Sequence, residues 1–127
     1  MRAFFVASAV VTFVGCGGSA TAPSGSSSGL AAVTISIVGD RGNTSFSPNP
    51  AIAGGRMVVF RNNDTIAHRV RLNDLTVDWG VIQPGATSAP LAMPPTGTNY
   101  HCSVHPTMIG AVAAEGQAPP PCRGDYC

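Results

Sequence analysis

The sequence predicts an all-β domain built as a two-sheet sandwich. Three observations lead there. From Leu30 onward apolar and polar residues alternate in short runs, Gly and Pro break those runs repeatedly, and no stretch carries a convincing helical repeat. About eight short strands between residues 30 and 115 suit two sheets closed over one core. A core of that size is adequate but not generous.

The chain begins with Met1-Arg2 and an apolar run from Ala3 to Val14. That run falls short of the roughly 20 apolar residues that span a bilayer, and it suits the apolar core of a secretory signal covering residues 1–15. Phe13-Val14-Gly15-Cys16 looks like a bacterial lipobox, with Cys16 as the lipidated first residue of the mature protein. Ala20-Thr21-Ala22 offers an ordinary small-x-small cleavage site instead, which would leave a soluble exported protein. Residues 16–29 then read as the lipidated Cys and a flexible Gly/Ser linker. As a coil the linker reaches about 20 Å, enough to hold a small domain just off a membrane.

Val33, Ile35 and Ile37 alternate with Thr34 and Ser36, giving a first strand with one buried face. Strands over 56–61 and 67–72 follow, separated by the turn-forming Asn62-Asn63-Asp64. His68, Val70 and Leu72 share one parity, so the histidine shares a face with two core residues. Further strands are expected over 76–82, 87–93, 98–102 and 109–114.

Chemistry concentrates between the last two of these. Cys102, His105 and Met108 form a C-x2-H-x2-M run, and His68 is the remaining candidate for a second imidazole, His101 excepted. Thiolate and thioether sulfur mixed with imidazole suits copper better than magnesium or calcium, and a Cys with two His and a weak axial Met is the ligand set of an electron-transfer copper centre. Zinc accepts Cys and His too, but structural zinc sites favour more than one Cys and usually carry no thioether. The bland alternative is that each residue is packing, since a lone buried Cys behaves as a small hydrophobe. It would need all four to fall into this pattern by coincidence.

Those segments resemble the cupredoxin family of small blue copper proteins, which includes plastocyanin, pseudoazurin and amicyanin. Phe46-Ser47-Pro48, the run from Val58 to Asn62, His68-x-Val70, Pro84-Gly85 and the block from Gly97 to Gly110 fall in the family's order. The ligand loop is the short, amicyanin-like form. The resemblance implies a Greek-key β-sandwich over residues 30–115 holding one mononuclear type 1 copper. Cys102 would be the strong ligand, His68 and His105 the equatorial nitrogens and Met108 the long axial contact. Family members commonly carry Asn or a small hydroxyl residue just after the first His, tying the two ligand loops together, and this chain has Arg69 there. Plastocyanins place an aromatic residue just before the Cys as a second electron entry route. His101 holds that position, on the outward face opposite Cys102, as a candidate entry point or as an exposed His with no role.

Residues 116–127 form a Pro-rich tail. Pro119-Pro120-Pro121 reads as a stiff spacer, and Cys122 and Cys127 are positioned to pair if a turn through Arg123-Gly124-Asp125 brings their Cα atoms within about 7 Å. That tripeptide is ordinary turn chemistry. Free thiols or links to another chain are the alternatives.

The chain has no Lys, and its seven Arg nearly balance six acids. That leaves no basic patch for nucleic acid. The expected function is a membrane-tethered monomeric electron carrier of the cell envelope or periplasm, cycling Cu(I)/Cu(II) between redox protein partners. A copper-binding or copper-delivery protein using the same residues is the alternative. An enzyme is not expected, because metal catalysis generally wants an open coordination position.

Overall fold

The computed structural model of the protein describes residues 30–122 and 126–127. The expected signal over 1–15, the lipidation residue Cys16, the linker to residue 29 and the Arg123-Gly124-Asp125 turn lie outside the described residues.

Among the described residues nine strands form two mixed sheets: β1 (Val33–Ile37), β2 (Phe46–Ser47), β3 (Ala51–Ile52), β4 (Met57–Asn62), β5 (His68–Leu72), β6 (Asp78–Ile82), β7 (Leu91–Ala92), β8 (Thr98–Cys102) and β9 (Ile109–Ala113). One sheet has the order β2-β1-β4-β7 and the other β3-β9-β8-β5-β6. Two pairs are parallel, β1 with β4 and β3 with β9. Among the described residues the only helical element is a 3-10 turn, Gly42–Thr44. The molecule is therefore an all-β sandwich.

The core lies between the sheets because strand alternation sends one parity inward. Ile35, Ile37, Val58 and Phe60 come from one sheet, and Val70, Leu72, Trp79, Ile82, Tyr100 and Val112 from the other. Phe60 joins the layers, its ring centroid 4.9 Å from that of Trp79 and 5.1 Å from that of Tyr100, both edge to face. Gly110 has no side chain for a local reason: a Cβ there would overlap the Tyr100 ring.

Two sequence expectations change. The strand expected over 87–93 contracts to β7, with only an isolated bridge between Arg61 and Thr87 before it. Pro90 has no amide hydrogen to give, and the Ser88 hydroxyl accepts from the Phe60 N–H at 2.9 Å in place of a ladder carbonyl. The strand expected from 76 begins at Asp78, because Asp74 accepts from both the amide and the hydroxyl of Thr76 and holds a turn there.

β5 and β8 are adjacent, with Val70 opposite Cys102, Arg71 opposite His101 and Leu72 opposite Tyr100. This register sets the entry of one strand beside the exit of the other, so His68 and Cys102 meet at one end of the sandwich.

Candidate metal centre

His68 opens β5 with the same inward parity as Val70 and Leu72, and all three are fully buried. Cys102 closes β8, also fully buried, and is a free thiol. The chain then turns through Ser103 to Thr107 and re-enters the core at Met108, just before β9.

The loop is closed by main chain. The Cys102 N–H donates to the Met108 carbonyl at 3.0 Å, and the Met108 N–H to the His105 carbonyl at 2.9 Å. On the other side the Ser103 N–H donates to the Arg69 carbonyl at 2.8 Å. The Arg69 side chain turns away to Asp78, its Nη2 2.7 Å from Oδ2. Backbone therefore ties the two ligand-bearing segments together, a tie that Arg at position 69 leaves intact. Thr107 adds an anchor to Asp40, Oγ1 to Oδ1 at 3.2 Å.

This framework brings three donors to one point. Cys102 Sγ lies 3.6 Å from His68 Nδ1 and 3.9 Å from His105 Nδ1, and the three donor atoms fall within 4.8 Å of one another. The imidazole rings stand 5.2 Å apart at 58°. His105 is partly buried, whereas His68 and Cys102 are fully buried.

Asp64 was not singled out by the sequence, and it completes the arrangement. Its Oδ2 lies 2.8 Å from His68 Nε2. The hydrogen bond with His68, followed by the Thr65 amide, holds the Asp64 carboxyl below its ordinary range. An ionised carboxylate only accepts, so Nε2 is the nitrogen that donates to Asp64, and Nδ1 is the one that faces Cys102. Asn62 shapes the turn that presents Asp64: its amide donates to the Ile66 carbonyl at 2.7 Å and the Ile82 carbonyl at 2.9 Å, and its oxygen accepts from the Asp64 N–H at 2.9 Å. The signal in the sequence was an acid four residues before a candidate ligand, in a turn.

The donor set fits copper. Two imidazole nitrogens and one thiol sulfur, with His68 and Cys102 fully buried and His105 partly so, form a mixed soft site, and the single Cys departs from the usual structural zinc pattern. Met108 is buried at the same end, with its main chain bonded to those of Cys102 and His105.

His101 faces outward from the sheet, as strand parity requires, but it is not exposed. It is 1% accessible. Its Nδ1–H donates to Asn73 Oδ1 at 2.9 Å, and its ring stacks on Tyr126 with centroids 3.7 Å apart and planes 3° apart. Burial, and then the positive charge of Arg71, lowers its pKa and favours the neutral ring. Cys122 and Cys127 form a disulfide with Cα atoms 5.7 Å apart. No helix among the described residues is long and apolar enough to cross a membrane.

No family model matches the chain, and no curated protein sequence matches it. Solved structures do. A purple cupredoxin from Nitrosopumilus maritimus superposes with a TM-score of 0.55 at 21% identity, covering 65% of this chain and 99% of that one. A reduced proline-to-phenylalanine variant of amicyanin gives 0.53 at 20% identity, and a Cu(I) methionine-to-alanine variant gives 0.51 at 20%, each covering 66% of this chain and 82% of that one. The chain has the cupredoxin fold, and within it His68, Cys102 and His105 group as one candidate metal site.

Proposed function

We propose that this protein is an electron carrier of the cell envelope, in which His68, Cys102, His105 and Met108 hold one copper ion. The observation that carries the reading is the convergence of two imidazole nitrogens and the only free thiol among the described residues within 4.8 Å, at the end of a closed β-sandwich. Copper held there would supply a one-electron couple between Cu(I) and Cu(II).

The chain's own part is to keep the donors still. His68 is fixed from behind by Asp64, Cys102 by its main-chain bond to Met108, and the loop by Thr107 on Asp40. Groups that move little on a change of charge exchange electrons with a low reorganisation cost. Met108, buried and joined by its main chain to Cys102 and His105, would supply a thioether as the fourth donor.

A redox protein partner would dock at the His105 edge. Ile66 and Val104, exposed apolar residues in the two ligand-bearing segments, support that placement. The same reading makes the protein a monomeric carrier rather than a catalyst, with four protein donors leaving no position for substrate. Cys16 and the linker to residue 29 would tether residues 30–115 to a membrane.

Cyclic voltammetry of the copper-loaded protein tests the carrier reading. Reversible cycling with copper retained in both states is the expected result. Ready surrender of Cu(I) to a competing acceptor would instead make it a copper-delivery protein.

A further inference from the structure

The C-terminal tail does more than end the domain. Asn73, Asn99 and His101 stand together on the outer face of β5 and β8, and each finds its partner in the tail or in one another. Asn99 Nδ2 donates to the Pro120 and Pro121 carbonyls at 3.1 and 3.2 Å. Asn73 bonds the His101 ring through Oδ1 and approaches Cys122 Sγ at 3.8 Å through Nδ2. The Cys122–Cys127 disulfide then returns the chain so that Tyr126 lies flat on His101. Tyr126 and Cys127 also line a cleft with Pro106, Thr107 and Ile109, so the same tip stands across that cleft from the ligand loop.

We propose that Cys122, Tyr126 and Cys127 form a clasp on the metal centre, with Tyr126 as a positioning residue that steadies Cys102 through His101. The cross-link narrows the conformations the tail can explore, so the ring is delivered to His101 at a reduced entropic cost. One aromatic stack then holds the outer face of β8 one residue from Cys102. This deepens the copper reading, but the clasp itself is a property of the metal-free protein.

The test uses the full chain and three variants: Tyr126→Ala, Tyr126→Phe, and Cys122→Ser with Cys127→Ser. In the metal-free protein, iodoacetamide labelling of Cys102 and diethyl pyrocarbonate labelling of His101 are followed by peptide mass mapping, which separates Cys102 from Cys16. Loss of one aromatic stack predicts that Tyr126→Ala labels about three- to tenfold faster at both residues, that the double serine variant follows it, and that Tyr126→Phe stays near wild type. With copper bound, transfer of the metal to a chelator should accelerate in the same order.

Unchanged His101 labelling in Tyr126→Ala would overturn the clasp outright. Faster His101 labelling with unchanged Cys102 labelling and copper release would leave the tail a cover and overturn the positioning role. A wild-type protein that binds no copper would defeat the copper reading alone, with Cys102 labelling still deciding the clasp.

Discussion

Asp64 Oδ2 sits 2.8 Å from His68 Nε2, on the side of the ring opposite the Cys102 sulfur, and so sets which nitrogen of His68 faces the metal centre. Partners of this kind commonly contribute tenfold or more to metal affinity. Asp64→Ala is expected to weaken copper binding by about 10- to 100-fold in chelator competition. Asp64→Asn, which keeps an acceptor, should lose less. Equal affinity in all three proteins would remove Asp64 from the site.

Tyr100 is fully buried, and its hydroxyl has no hydrogen-bond partner among the described residues. Burial drives its pKa well above the ordinary tyrosine value. An unpaired buried hydroxyl costs about 1–3 kcal/mol. Tyr100→Phe should therefore leave denaturant stability unchanged or raise it, and a loss above about 1 kcal/mol would mean that the hydroxyl is paired. Gly110→Ala should cost about 1–3 kcal/mol in the same assay, because its methyl group meets the Tyr100 ring.

Asp78 and Asp74 are both held below the ordinary carboxylate range, Asp78 chiefly by its hydrogen bond from Arg69 and Asp74 by the Thr76 hydroxyl and amide. A carboxylate with a depressed folded pKa adds stability that is complete above its unfolded value, near 3.9, and vanishes as pH falls through the folded value. The melting temperature of the metal-free protein should fall below about pH 4. Asp78→Asn should flatten that decline, and an unaltered slope would contradict the assignment.

If Cys16 carries the proposed lipid, Cys16→Ser should release the protein from membranes without altering copper binding. An intact mass beginning at Pro23 would instead show cleavage after Ala22 and no lipid anchor.

Much of the site was legible because it is local. The C-x2-H-x2-M run lies within one loop, and the parity of His68, Val70 and Leu72 already turned the histidine inward. What escaped depends on partners remote in sequence. The two-residue strands β2 and β3 are too short to show alternation and exist through pairing with β1 and β9. Outward parity for His101 is correct, but parity says nothing of a tail 25 residues later folding over it. The brace attributed to the residue after His68 is supplied by the Arg69 carbonyl, which no side chain reports. Asp64 looked like turn chemistry because its sequence signal is the same in either role.

His68, Cys102 and His105 are proposed to hold copper with the Cys102 thiolate as a direct ligand. Titration of the protein with Cu(II), followed by absorption spectroscopy, tests it most directly. The expected result is an intense thiolate-to-copper charge-transfer band that saturates at one equivalent and is absent from Cys102→Ser. A colourless protein with Cu(II) bound, or a band that survives in Cys102→Ser, would contradict it.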